Sequence, residues 1–342
     1  MRKAILECVP NFSEGKDPEI INAIAEAVKA ESRASLLNVD SNRDADRTVY
    51  TIAGSPDSVF NAAYNAIAKA VELIDLRGRK GKHPRMGAAD VCPLIPLRNI
   101  SMEETVILAR ELGQKVGNEL DIPVYLYEYA AQREDRRALP DIRKGEFEKL
   151  DQKITQPEWQ PDYGPSRMHP SAGAAVIGAR QFLIAYNINL TTKDADLAHE
   201  IAREVRESGR KEERNGEKVT IRGRLSKVRA IGWYLRDFDC AQVSLNLLNF
   251  WKTNMAEVFE TVREVAREKG TEVNGSELVG MIPMEAIEEA VKYYDEANAN
   301  LSEEEMVDLL NRKLGLDQVK PFDPEEKVIE WKLRSQAPDI VD

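Results

Sequence analysis

Residues 17–53 read DPEIINAIAEAVKAESRASLLNVDSNRDADRTVYTIA. Within them Ile20, Ile21, Ile24, Ala27 and Val28 recur at helical spacing behind Asp17, a side chain suited to capping, so the periodicity predicts a helix over Pro18–Ala30. Two short strands then follow without a second helix: Ser35–Val39, and Arg47–Ala53 with the β-branched Thr48, Val49 and Ile52, joined by a polar loop from Asp40 to Asp46. A helix followed by two strands in succession is the middle of a βαββαβ unit. The flanks complete it, with an apolar strand at Ala4–Val9 before it and, after it, a helix over Ser55–Ile74 and a strand at Val91–Leu97. A helix at Met102–Val116 and a strand at Val124–Leu126 extend the unit by one step.

The pattern recurs downstream. Strands are expected at Phe182–Ile188, Val228–Leu235, Gln242–Leu247 and Glu277–Met281, with helices at Asp194–Glu207 and Ala256–Lys269, then near Met284–Tyr294 and Ser302–Leu314. Between the two runs, residues 151–170 are rich in proline and poor in apolar periodicity, as in a linker or ordered loop. The expected fold is α+β: two ferredoxin-like (split βαβ) subdomains, residues 1–178 and 179–330, and a tail over 331–342, with the two sheets facing each other across a ligand cleft.

Composition narrows the function. A length of 342 residues, 42% hydrophobic and 31% charged, suits a globular protein of about two cores. The net charge of −11 argues against a surface that grips nucleic acid, and the basic run 203–229 interleaves its ten cations with five acids, as in a solvated helix and turn. No apolar run is long enough for a bilayer, and Cys8, Cys92 and Cys240 stand too far apart for a metal pair or a disulfide ladder, which fits a reducing, cytoplasmic setting. HxH, HExxH, GxSxG, GxGxxG and GxxxxGK[ST] are all missing, so no metal is expected.

One segment reverses the sign of the chain. Residues 77–85, RGRKGKHPR, hold Arg77, Arg79, Lys80, Lys82 and Arg85 with His83 and no acid, and their glycines and proline place them on a loop. Cations around an imidazole lower its pKa and keep it neutral as a base near pH 7, which makes His83 the best acid–base candidate, while His199 reads as a surface residue. Asp40 closes a strand run and presents a carboxylate, although a turn role fits it as well. Asn11, Ser13, Glu14 and Gly15 fit either a turn or a site lining. The small residues from Gly164 to Gly178 allow a flat ligand close to the backbone, and Arg180 offers a planar fork for a carboxylate.

Five stretches together resemble the glutamate formiminotransferases of the formimidoyltransferase family, in their stand-alone form. They are Cys8–Gly15; His83–Ala88 with Asp90–Pro93; Ile142–Glu148; Gly178–Arg180 with Leu183–Asn189; and Gly275–Gly280. The resemblance implies transfer of the formimino group of N-formimino-L-glutamate to tetrahydrofolate, a co-substrate, in histidine degradation and one-carbon metabolism. It also implies a homodimer, and a separate protein for the cyclodeaminase activity that follows in animal enzymes. The family's essential histidine falls on His83 and its partner aspartate on Asp40. Its folate stretch falls on Gly164, Pro165, Ser166, Arg167, Met168, His169, Pro170, Ser171, Ala172 and Gly173. The chemistry agrees: a neutral imidazole passes protons between two exchanging amines, a carboxylate orients a cationic amidine, and Lys82, Arg85 and Arg180 suit the glutamyl carboxylates. A related formyl transferase and a non-catalytic folate-binding protein are the alternatives.

Overall fold

A computed structural model describes residues 3–79, 83–214, 217–294, 301–318 and 321–337. The chain forms two compact units, one running up to Gln181 and taking in the described residues from Leu333 on, the other spanning Phe182–Lys332.

The first unit opens with β1 (Ile5–Cys8) and β2 (Asn11–Phe12), two halves of one strand interrupted at Val9-Pro10, where proline has no N–H to give the ladder. Then come α1 (Pro18–Lys29), β3 (Ala34–Asn42), β4 (Arg47–Gly54), α2 (Pro56–Leu73), β5 (Ala89–Arg98), α3 (Met102–Glu119) and β6 (Val124–Glu128), followed by α4 (Leu139–Ile142), α5 (Glu146–Lys153) and β7 (Ala175–Ala179). Asp17 caps α1 by accepting the Glu19 N–H at 2.9 Å, and Ser101 with Glu104 forms a capping box on α3. The sheet runs β3, β4, the β1/β2 strand, β5, β7, β6; its β5–β7 and β7–β6 pairs are parallel and the rest antiparallel. One face buries Leu6, Tyr50, Ile52 and Leu94 against α1, α2 and α3. On the other face, Val91, Tyr125 and Val176 pack with Ile142 of α4 and Leu150 of α5.

The second unit is built from β8 (Ile184–Leu190), α6 (Ala195–Val205), the hairpin β9 (Arg210–Arg214) and β10 (Glu217–Ile221), β11 (Val228–Leu235), β12 (Cys240–Leu247), α7 (Met255–Glu268) and β13 (Val273–Val279), then α8 (Met284–Tyr294) and α9 (Glu303–Leu314). Helices α10 (Pro324–Lys327) and α11 (Ile329–Gln336) close the described chain. Its four-stranded antiparallel sheet runs β11, β12, β8, β13. Matched in chain order, this is the arrangement of β3, β4, β1/β2 and β5 in the first unit, so both units carry the split βαβ plan.

Three expectations are corrected. Asp40 does not end a strand: β3 continues to Asn42, with Asp40 opposite Val49, so the loop shrinks to residues 43–46. Residues 151–170 are not a simple linker, because α5 packs into the first unit and β7 follows within the same sheet. Every residue of β7, AVIGA, is buried between two parallel neighbours, so it shows no alternation that a sequence reading could use. The basic run 203–229 leaves its helix at Val205 and continues as a charged hairpin rather than a helix and turn.

Candidate active site

The site starts from a fault in a strand ladder. Asn11 of β2 pairs with Val91 of β5, and Phe12 pairs with Ala89, so Asp90 is the extra residue of a β-bulge. The bulge turns the Asp90 side chain to the face opposite α1–α3, where it has no solvent exposure. Oδ1 accepts the Met86 N–H at 2.8 Å, and Oδ2 accepts Arg47 Nη1 at 2.5 Å and Arg143 Nη2. Arg47 stands at the start of β4, with its Nε donating to Asn11 Oδ1 at 3.0 Å, while Asn11 Nδ2 donates to Val9 O at 2.8 Å. Arg143 is the C-cap of α4.

His83 sits against this group, half-buried, with Nδ1 at 3.2 Å from Arg47 Nη1 and 2.7 Å from Pro84 O. A carbonyl only accepts and a guanidinium only donates, so the two contacts call for opposite ring tautomers: Pro84 O suits a protonated Nδ1, and Arg47 Nη1 suits a lone pair there. Burial, and then the charges of Arg47 and Arg143, hold the imidazole pKa below its ordinary value, with Pro84 O and Asp90 opposing the shift. The sequence reading expects nearby charge to lower this pKa; burial comes first, and among the described cations Arg47 and Arg143 follow it rather than the arginines of segment 77–85.

The arginines of segment 77–85 are engaged elsewhere. Arg77 forks onto Asp75, Arg79 reaches Glu14 and Asp46, and Arg85 donates to Glu148 at 3.0 Å and to Arg79 O at 2.7 Å. Lys80 and Lys82 lie outside the described residues. Burial alone would raise the Glu14 pKa, but bonds from Arg79, Asp17 N and Lys16 N outweigh it, so the carboxyl is held below its usual range. Glu14 is thus a closing clasp for this loop, and Ser13 Oγ adds a bond to Gly87 O at 2.7 Å.

Asp40 is exposed on β3, two strands from Asn11 and on the same sheet face as Arg47, since Asn42 pairs with Arg47 and Asp40 with Val49. Two strand spacings put it about 10 Å from Asn11, and no hydrogen bond or ion pair joins it to His83 among the described residues. Arg180 follows β7, its N–H on Leu94 O at 3.1 Å and its Nη1 on Gln181 O at 2.9 Å, about 16 Å along the sheet from Asp90. The structure therefore does not bring Arg180 to the histidine within this unit.

The small-residue stretch does reach the site. His169 and Gly173 exchange backbone hydrogen bonds at 3.1 and 3.0 Å, making a tight turn, and His169 Nδ1 accepts the Ala172 N–H at 3.0 Å. The turn docks on the segment after His83: Ala88 N donates to Ala172 O at 2.8 Å and Ala174 N to Met86 O at 3.2 Å. A Cβ on Gly87 would lie 1.9 Å from Ala174 O, so only glycine allows this approach. Ahead of the turn, Gly164 bends at φ +78°, Arg167 pairs with Asp121 and Ser166 with Gln160 at the surface, and Met168 packs beside α5. His199 is half-buried in α6, with Nδ1 3.5 Å from Gly232 N, and is not the surface residue expected.

Among the described residues no group of three or more His, Cys, Asp or Glu side chains is placed to hold a metal, and no helix is long and apolar enough to cross a membrane. Arg47 and Arg143 were not singled out chemically from the sequence. The available signal for Asp90 was an acid opening the otherwise apolar run VCPLIPL, a place where a charge needs partners.

Family models match both units: "Formiminotransferase domain, N-terminal subdomain" over residues 5–180, and "Formiminotransferase domain" over residues 185–334. The chain is 39% identical to the glutamate formimidoyltransferase of Streptococcus pyogenes serotype M1, covering 85% of this chain and 93% of that one. It is 40% identical to that of Thermoplasma acidophilum, covering 86% and 93%. The formimidoyltransferase-cyclodeaminase of Rattus norvegicus is 47% identical over 98% of this chain, which spans 61% of that relative's length.

Proposed function

The chain belongs to the formiminotransferase family, and from that premise we propose that it transfers the formimino group of N-formimino-L-glutamate to tetrahydrofolate, yielding 5-formiminotetrahydrofolate and L-glutamate. The observation that carries the reading is His83, a half-buried imidazole biased toward neutrality and set beside the Arg47–Asp90–Arg143 group.

Attack by N5 of the folate on the formimino carbon makes a tetrahedral carbon bearing both nitrogens. The attacking nitrogen must lose a proton, and the departing glutamyl nitrogen must gain one before its bond to carbon breaks. The neutral His83 imidazole takes the first proton and returns it to the leaving amine, so it ends neutral, as it began. Asp40 is assigned the cationic amidine, with its exposed carboxylate on the same sheet face as Arg47. The 164–173 segment is assigned the folate, its turn being packed directly against the residues that follow His83. The reading extends to a homodimer working in the cytoplasm within histidine degradation.

The test is a spectrophotometric assay of the purified chain for 5-formiminotetrahydrofolate, with formiminoglutamate and formylglutamate as rival donors. Turnover confined to the formyl donor, or tetrahydrofolate binding without turnover of either, overturns the proposal.

A further inference from the structure

Asp90 has its acceptor capacity used inside the fold, by Met86 N on one oxygen and by Arg47 and Arg143 on the other. Among the described residues, two guanidinium groups on one carboxylate leave a unit of positive charge uncompensated, on side chains only 10% and 13% exposed. Burying an unpaired cation is costly, so this arrangement is poised for an anion. Arg143 Nε is a buried donor with no acceptor among the described residues. Arg47, fixed by Asn11 and Asp90, directs no hydrogen bond from Nη2 to any described residue, while the arginines of segment 77–85 have carboxylates of their own. Among the described arginines, the excess positive charge therefore lies beside His83.

We propose that Arg47 and Arg143, held on one oxygen of Asp90, form the site that binds a carboxylate of the amino-acid donor next to His83, with Asp90 as the positioning residue for both. The planar guanidinium fork matches a carboxylate, which a lysine would meet only as a point charge. This inference rests on the transfer reaction proposed above, but its binding arm does not need turnover.

The experiment uses the full chain and L-glutamate, the donor's amino-acid half, as the binding probe in calorimetry, alongside steady-state kinetics with both substrates. Arg143→Gln is expected to weaken L-glutamate binding and raise the formiminoglutamate KM by about tenfold or more, with the tetrahydrofolate KM within about twofold of wild type. Arg143→Lys keeps the charge without the fork and should fall between the two; it also serves if the glutamine variant does not fold. Arg47→Gln should add a pH signature. The charged groups acting on His83 are Arg47 from β4, Arg143 after α4 and Asp90 on β5, so removing the Arg47 charge raises the imidazole pKa and moves the acid limb of kcat/KM to higher pH. Asp90→Asn should reproduce the donor-specific KM rise, because both arginines lose their anchor. Unchanged glutamate affinity in Arg143→Gln, or equal rises in both KM values, overturns the site. Wild-type protein that binds glutamate through Arg143 yet makes no 5-formiminotetrahydrofolate would instead overturn the function proposed above and leave the site standing.

Discussion

On the sheet face turned away from α1–α3, the first unit sets Arg47, Asn11 and Asp90 side by side; on the matching face of the second unit, β8 and β12 carry Asn187, Asn189 and Gln242. There Trp233 Nε1 donates to Gln242 Oε1 at 2.9 Å and Gln242 Nε2 to Asn189 Oδ1 at 2.8 Å. Both units use the βαββαβ plan, and in both the face away from the main helices carries buried polar side chains, in the first unit beside the Val91, Tyr125 and Val176 cluster. The first is charged and interrupted by a bulge, while the second carries an amide chain on regular β8–β12 and β11–β12 ladders. The plan thus supplies two platforms, and the Asp90 bulge makes the first one electrostatically active, because it directs a carboxylate to where two arginines converge.

The largest expected effect falls on His83. His83→Ala should lower kcat by about 10²–10⁴ while tetrahydrofolate still binds, and kcat near the wild-type value would remove proton transfer from the first platform. Next comes stability. Asp90→Ala leaves two buried guanidinium groups without their carboxylate and should cost about 3–5 kcal/mol in denaturant titration. Gln242→Ala, its counterpart, breaks neutral hydrogen bonds and should cost about 1–3 kcal/mol. Equal losses would abolish the distinction between the platforms.

Two close backbone approaches sharpen the comparison further. A Cβ on Gly87 meets Ala174 O at 1.9 Å, and a Cβ on Gly232 meets His199 N at 2.1 Å, so alanine at either position should cost about 1–3 kcal/mol as a fall in Tm. Gly87→Ala should in addition raise the tetrahydrofolate KM, since it pushes the 171–174 turn off the segment that follows His83. The smallest effect is a matter of pH. Because burial and Arg47 hold the His83 pKa down, and activity needs the neutral ring, the acid limb of wild-type kcat/KM should lie below about pH 6.5.

Much of the fold was legible in local pattern. The amphipathic spacing behind Asp17 and the β-branched run at Thr48–Ile52 place α1 and β4 within a residue or so of their observed ends. β7 was not legible, since a strand buried on both faces by parallel neighbours reads as a run of small residues. His83 stood out by its rarity and its cationic setting, although the arginines of that setting turn to Asp75, Glu14, Asp46 and Glu148 once folded. Arg47 and Asp90 are 43 positions apart and meet only because β4 and β5 both flank β2.

Periodicity, capping and turn chemistry act over a few residues, so the amino-acid order alone determines the doubled βαββαβ plan and the presence of a lone basic segment holding a histidine. Which cation faces that histidine, and which acid each cation finds, is decided across strands by register and by one bulged residue. Charge pairing is settled by distance in space, and sequence separation carries no record of it.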